Sequence, residues 1–269
     1  MKIATLGPEG TFSHEAVQKR FPEAEIRFTN TIREVFEIVS HHPGFTGVVP
    51  LENSLSGSIG LTMDALMSYD APITSEILLP IRHFLVGNGA APQIKYLYAH
   101  PQAYEQCQRF IQHHLSKARM IPTSSNANSA EELLKNGSKE YAAIIPEAAM
   151  NRYALPCLAR NIEDSKYNVT RFIVLEKRAT APTGRDRTSI AIYPHIDKPG
   201  LLNSLLSIFA KAGINLTKLE SRPSKGKLGD YIFFVDLEGH KNDKNVNNAF
   251  KSVQKNFYLK VLGSYPREY

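Results

Sequence analysis

Hydrophobic and polar positions over the first 165 residues repeat one rhythm: a short apolar run, a loop rich in Gly, Ser and Thr, then an amphipathic stretch. Lys2-Ile3-Ala4-Thr5-Leu6 predicts a strand, followed by the loop Gly7-Pro8-Glu9-Gly10-Thr11-Phe12-Ser13 and a helix carrying Ala16 and Val17. Ile26-Arg27-Phe28 predicts the next strand. Thr31 and Glu34 stand at capping-box spacing, and Ile32, Val35, Phe36 and Val39 fall at i, i+3, i+4 and i+7, which places them on one helix face. Strand 46–51 then leads through Glu52-Asn53-Ser54-Leu55-Ser56-Gly57-Ser58 to a helix with Leu61, Ala65 and Leu66.

A long apolar stretch, 77–86, opens a second group. It continues with strand 96–99, a helix with Ala103, Cys107, Phe110 and Ile111, strand 119–121, and the loop Thr123-Ser124-Ser125-Asn126-Ala127-Asn128-Ser129 before the helix of Leu133 and Leu134. Strand 141–145, a short helix near 147–153 and a late strand over 168–175 complete it. Alternating strands and helices predict parallel sheets with helices on both faces. Two such groups, with one strand returning late, predict two lobes and a cleft. The aperiodic, Pro- and Gly-bearing segment 177–185 reads as a linker. Beyond it the order changes to strand 188–194, a helix from Pro199, strands 214–221 and 230–237, a helix with Val246, Ala249, Phe250 and Val253, and a strand near 257–263. That βαββαβ order is the ferredoxin-like plan.

Composition narrows the function classes. A hydrophobic share of 42% is ordinary for a soluble globular chain. No apolar run has the length of a membrane helix, and Cys107 and Cys157, both among apolar neighbours, make no disulfide framework, so the expectation is a cytoplasmic, reduced protein. Residues 1–178 carry 18 basic and 18 acidic side chains, so the net charge of +6 comes from the tail, where 14 basic and 8 acidic residues are spread diffusely. A diffuse excess predicts a solvated surface rather than a nucleic-acid groove. No metal-ligand spacing appears: His41-His42 and His113-His114 are adjacent and diverge by about 100° on a helix. Gly87-Asn88-Gly89 lacks a third glycine at Pro92, so neither metal nor dinucleotide cofactor is expected.

Candidate chemistry gathers in three loops and one strand. Thr11 and Ser13, then Asn53, Ser54, Ser56 and Ser58, then Thr123 to Asn126 all lie where strands give way to helices, the usual place for a ligand in an open α/β sheet. Free backbone N–H groups make such loops sites for anions, although the same residue types also serve as plain helix caps. In Asn168-Val169-Thr170-Arg171-Phe172 a hydroxyl and a guanidinium precede a buried strand, and such an arginine needs an anionic partner. Alternation along a strand aims the two side chains at opposite faces unless the backbone bends. Glu52 is the carboxylate among these loops, with a helix-end charge interaction as the bland alternative. His14 and His83 fit capping or core packing.

These motifs, taken together, resemble the monofunctional prephenate dehydratases. The resemblance rests on Gly7-Pro8-Glu9-Gly10-Thr11-Phe12-Ser13-His14, Val49-Pro50-Leu51-Glu52-Asn53-Ser54 with Gly57-Ser58, Leu79-Pro80-Ile81-Arg82-His83, and His100-Pro101-Gln102-Ala103. Asn161-Ile162-Glu163-Asp164 and Asn168 to Phe172 follow in the same order. The tail resembles that family's ACT-type regulatory domain at Gly213-Ile214-Asn215-Leu216-Thr217 and Glu220-Ser221-Arg222-Pro223. The family's chorismate mutase segment is not expected ahead of the first strand.

The resemblance implies a type II periplasmic-binding-protein-like catalytic domain over 1–178, with lobe 1 near 1–76 and 166–178 and lobe 2 near 77–165, then an ACT domain over 188–269. It implies decarboxylative dehydration of prephenate to phenylpyruvate, with arogenate as the alternative substrate and a non-catalytic carboxylate-binding sensor as the alternative class. Thr170 and Glu52 are the expected catalytic pair. Arg171, Phe172, Asn53, Ser54, Thr11, Ser13 and Ser124 are the expected substrate contacts. Phenylalanine is the expected effector, against Gly200, Leu201, Leu202, Asn215, Leu216, Glu220, Ser221 and Arg222, in a homodimer or homotetramer. Glu220 and Arg222 have a plainer role available, pairing with each other on one strand face. Two positions depart from the family. Gly200-Leu201-Leu202-Asn203 replaces the usual Gly-Ala-Leu, so a bulkier Leu201 is expected to narrow the effector pocket. Thr123-Ser124-Ser125-Asn126-Ala127 replaces a Ser-Thr-Ala pattern but keeps its hydroxyls.

Overall fold

Short apolar runs separated by capped helices give sheets covered by helices, and that architecture is seen in a computed structural model describing residues 1–196, 198–224 and 230–268. The chain divides into two units, one formed by 1–35, 44–62 and 77–172, the other by 36–43, 63–76 and 173–269. In the first unit β1 (Lys2–Leu6) runs parallel to β2 (Glu25–Thr29) on one side and β3 (Phe45–Asn53) on the other. Helix α1 (Phe12–Arg20) follows β1, and α2 (Ile32–His41) begins with the predicted cap, Glu34 N–H donating to Thr31 Oγ1 at 3.2 Å. The strand β3 runs two residues further than expected, through Glu52 and Asn53, and folds back on the short β4 (Gly57–Ser58) before α3 (Gly60–Ser68). Leu61 faces outward from α3, 69% exposed, so the buried stripe of that helix is Met63, Ala65 and Leu66.

The apolar stretch over 77–86 proves to be two strands, β5 (Ile73–Pro80) and β6 (Phe84–Gly87), interrupted by Ile81-Arg82-His83. A second sheet runs in the order β10-β6-β9-β7-β8, made with β7 (Tyr96–Ala99), β8 (Arg119–Pro122), β9 (Tyr141–Ile145) and β10 (Cys157–Arg160). The expectation of wholly parallel sheets needs correcting here. β7 is parallel to β8 and β9, but β6 and β10 add antiparallel. Alternation sorts the core onto two faces. Leu85, Leu97, Ala142 and Ile144 pack under α4 (Pro101–Glu105) and α5 (Gln108–His114), while Phe84, Val86, Ala143 and Ile145 pack with residues of α6 (Asn126–Asn136) and α7 (Glu147–Arg152). Cys107 joins the first cluster, but Cys157, although it too has apolar neighbours in sequence, is exposed on the edge strand β10.

β11 (Val169–Leu175) is the late strand, and its apolar run Phe172 to Leu175 is at most 2% exposed. Burial of each such side chain stabilises by about 1.5–3 kcal/mol, enough to hold the polar residues at its start in place. In the second unit β12 (Asp186–Pro194), α8 (Leu201–Lys211), β13 (Leu216–Pro223), β14 (Tyr231–Glu238), α9 (Lys244–Val253) and β15 (Phe257–Pro266) follow the βαββαβ order. The strands lie in the order β13-β14-β12-β15, with antiparallel neighbours. β12 starts two residues before the expected point because the Asp186 carboxylate accepts from Thr183 N–H at 2.7 Å and Gly184 N–H at 3.1 Å, closing the linker in a turn. Arg187 is 1% exposed and meets the buried Glu76 at 2.6 Å, so that neither buried charge is left without a counter-charge. Among the described residues no helix is long and apolar enough to cross a membrane.

Candidate active site

Four strand ends of the first unit deliver polar side chains to one cavity of about 300 Å3, the lower end of the usual range for a small-molecule site. The end of β1 contributes Leu6 and Gly7, with Thr11, Phe12 and Ser13 following. The end of β3 contributes Pro50 and Asn53, the end of β7 His100 and Gln102, and the end of β8 Ser124, Ser125 and Asn126. β11 adds Thr170 and Phe172, which stand two residues apart and so share a face.

Helix starts account for the loop geometry. Thr11 caps α1, accepting from His14 N–H at 3.4 Å and donating to Pro8 O at 2.9 Å, and Ser125 caps α6, accepting from Asn128 N–H at 3.0 Å. Both helices therefore present their N-terminal, partially positive ends to the cavity. His14 serves the same loop: its Nδ1 accepts from Gly10 N–H at 3.1 Å, and burial holds its pKa below the ordinary imidazole value. Gly10 itself has φ of +91°, and a Cβ there would press on Ala149 at 3.3 Å, so the turn needs glycine.

Asn53 organises the reactive end. Its Oδ1 accepts from the backbone N–H of Leu55 and Ser56 at 3.0 and 3.1 Å, which fixes the amide orientation. Its Nδ2 then donates to Asn168 Oδ1 at 2.7 Å and to Thr170 Oγ1 at 3.0 Å. Thr170 thus has an acceptor site already occupied, and its own O–H is left to donate elsewhere. Gln102 Nε2 donates to Ser56 Oγ at 3.0 Å, and Ser56 donates on to Asn53 at 3.1 Å, tying α4 to the β3–β4 loop.

Thr11, Ser13, Asn53, Ser124, Thr170 and Phe172 are brought together as expected from the sequence. Arg171, Glu52 and Ser54 are not on the wall. Strand alternation turns Arg171 to the other face of β11, where it is 3% exposed and its Nε lies 2.8 Å from Glu52 Oε1. An anionic partner of this buried arginine is thus Glu52. Ser54 fastens the β3 loop to β11, donating to Tyr167 O at 2.9 Å and accepting from Val169 N–H at 3.0 Å. Ser125 and Asn126, from the candidate loop after β8, also line the wall, whereas His100 and Gln102 were not singled out by residue type. Their signal is positional, since each follows the carboxyl end of a strand. Among the described residues no Lys or Arg lines the cavity, so an anionic ligand there meets helix ends, amides and hydroxyls.

Comparison with known proteins follows the same division. A prephenate dehydratase family model matches residues 3–180, and an ACT domain model matches 195–254. The chain belongs to the prephenate dehydratase family. It is 42% identical, over 99% of its length and 74% of the relative's, to the bifunctional chorismate mutase/prephenate dehydratase of Aquifex aeolicus. It is 36% identical, over 98% of its length and 97% of the relative's, to the prephenate dehydratase of Methanocaldococcus jannaschii. The crystal structure of a prephenate dehydratase from Arthrobacter aurescens in complex with L-Phe superposes with a TM-score of 0.92 at 32% identity, covering 99% of this chain and 90% of that one.

The ACT motif residues do not form one cluster within the chain. Gly200 caps α8 with φ of +80°, and Leu201 and Leu202 begin that helix. Asn215 and Leu216 come after its other end, and 11 helical residues span roughly 16 Å. Leu201 is 6% exposed and packs in the core with Leu205, Phe209 and Val246, so its bulk is absorbed there rather than narrowing a pocket. Glu220 and Arg222 approach to 3.7 Å on β13, and Arg222 also lies 3.6 Å from Asp64.

Proposed function

We propose that the protein converts prephenate to phenylpyruvate by decarboxylative dehydration, as an enzyme of phenylalanine biosynthesis acting in the cytoplasm. The observation that carries this reading is the Thr170 hydroxyl, held by Asn53 and presented to a cavity flanked by two helix N-termini. Prephenate carries two carboxylates, and two helix ends with free N–H groups suit a dianion without a formal cation nearby. The ring becomes aromatic when carbon dioxide and the 4-hydroxyl depart, so the driving force lies in the substrate. What the enzyme supplies is a donor at the leaving oxygen and fixed orientation of the rest.

Thr170 is that donor in our reading, and Phe172 packs against the ring. Thr11, Ser13, Asn53 and Ser124 hold the remaining polar groups. Arg171 and Glu52 act as a positioning pair behind β11, keeping the backbone of Thr170 in register. The catalytic region is taken as 1–178 and the regulatory region as 188–269, a division supported by the limits of the two family models. Phenylalanine is the proposed effector, with Gly200 to Leu202 of one copy completing a site with Asn215 and Leu216 of a second copy in a homodimer or homotetramer.

Incubating the purified chain with prephenate and, in parallel, with arogenate tests the reaction. Phenylpyruvate from prephenate is the expected result. Faster formation of phenylalanine from arogenate reassigns the substrate, and binding without turnover of either would leave a carboxylate-binding module.

A further inference from the structure

His83 and Asn126, each carrying a buried side-chain acceptor without a hydrogen-bond partner among the described residues, line one small chamber beside Thr170. This chamber, of about 60 Å3, shares Asn53, Asn126 and Thr170 with the wall of the substrate cavity and adds His83 and Gln106. Its polarity follows from a chain of bonds that starts at the backbone. Asn53 is oriented by the N–H groups of Leu55 and Ser56, so its Nδ2 donates to Asn168 Oδ1. Asn168 must then donate from Nδ2, and it does so to Gln106 Oε1 at 2.9 Å. Because that oxygen is an acceptor, His83 Nε2, also 2.9 Å from it, carries the ring proton.

His83 is 1% exposed, and burial holds its pKa below the ordinary value, so the ring is neutral and Nδ1 is a bare lone pair. Neither His83 Nδ1 nor Asn126 Oδ1 has a hydrogen-bond partner among the described residues. Leaving a buried acceptor unmet costs about 1–3 kcal/mol. An occupant that meets both must supply two donors from a small volume. A carboxylate supplies none and is repelled. Water fits, since one molecule needs only about 10–15 Å3 of such space and the chamber offers about 60 Å3.

We propose that this chamber is a water subsite of the dehydration, and that His83 is a positioning residue acting through it. One water donates to His83 Nδ1 and to Thr170 Oγ1, and a second donates to Asn126 Oδ1, so the Thr170 O–H itself stays free to donate. With Asn53 on one side of that oxygen and water on the other, the hydroxyl has one orientation in which to meet the leaving oxygen. The role in catalysis rests on the functional reading above, whereas the water itself does not.

A high-resolution crystal structure of the full chain and the kinetics of three variants test the two parts separately. The map is expected to show ordered water within hydrogen-bond distance of His83 Nδ1, and density without it overturns the subsite. His83→Phe is expected to lower kcat by about tenfold or more, with KM within about twofold, because orientation and not binding is lost. His83→Asn, which returns an oxygen near the place of Nδ1, is expected to recover most of that loss. Asn126→Leu removes the second acceptor with His83 intact and is expected to lower kcat in the same sense. Equal losses in the Phe and Asn variants, or losses confined to KM, overturn the positioning role. A wild-type chain that turns over neither prephenate nor arogenate overturns the functional reading instead, while the map still decides the water.

Discussion

The substrate cavity and the effector motifs are built on opposite principles. Cavity residues come from segments as far apart as Leu6 and Phe172, yet the fold gathers them, because the loops after β1, β3, β7 and β8 meet the first residues of β11. The ACT motifs are close in sequence, Gly200 to Leu202 and Asn215 to Leu216, yet the fold separates them. A crossover helix runs back along its sheet, so the loop before it and the loop after it lie at opposite ends. Closeness in sequence therefore says little about closeness in a site. A site made within one chain and a motif left divided by one helix call for different tests.

The largest expected effect is at Thr170. Replacing Thr170 by Ala removes the donor presented to the cavity, and a lost, well-aimed donor costs roughly a hundredfold in turnover, about 3 kcal/mol. KM should move little, and steady-state kinetics on prephenate check this. Near-normal turnover would mean that the single-chain cavity is not where the leaving oxygen goes. Next comes the pair behind the strand. Glu52→Gln withdraws the carboxylate from a buried guanidinium, and about 3 kcal/mol of stability is expected to go with it. Denaturant unfolding measures that loss. A variant of full stability that has lost only kcat would put Glu52 back among the reacting groups.

Much of the fold was legible because hydrophobic periods are local. Strand 2–6, the helix of Ile32 to Val39 and the tail's βαββαβ order all follow from runs of a few residues. The site was legible in part. Thr170 and Phe172 share a face and Arg171 does not, which alternation along β11 alone predicts. That Glu52 would be its partner was hidden, because β3 continues through Glu52 where a loop was expected. His100 and Gln102 were hidden for another reason: Gln and His carry no periodic signal, and only the strand end before them marks their place. Leu201 shows the same limit from the other side, since only its neighbours Leu205 and Phe209 reveal that its bulk points into the core.

A smaller effect separates the cavity half by pH. Glu15 on α1 has its carboxyl pKa raised from 4.5 to about 7, chiefly by burial and then by Glu147, with Lys19 opposing. A raised carboxyl pKa means the folded state holds the proton more tightly. Stability from this group is therefore present below about pH 4.5 and is lost as pH rises towards 7. Glu15→Gln is expected to flatten the fall in stability across that window, by roughly 3 kcal/mol at most and by less once solvent screening of the partly buried carboxyl is counted, as thermal unfolding at several pH values would read. An unchanged slope would show that the helix presenting Thr11 and Ser13 to the cavity is not strained by its buried acid.

The smallest effect bears on the divided motif. If Gly200 to Leu202 of one copy complete a site with Asn215 and Leu216 of another, Leu202→Asp and Asn215→Ala each spoil every site when expressed alone. Each should weaken phenylalanine binding about tenfold, roughly 1.4 kcal/mol, in equilibrium dialysis. Co-expression distinguishes the arrangements. Random pairing makes half of the pairs mixed, and an isologous mixed pair carries both lesions at one site and none at the other, so about a quarter of the sites should return. A site confined to one chain returns none on mixing, since every chain keeps its own lesion. Recovery at that fraction would establish that the cavity is finished by folding, whereas the effector site is finished only by association.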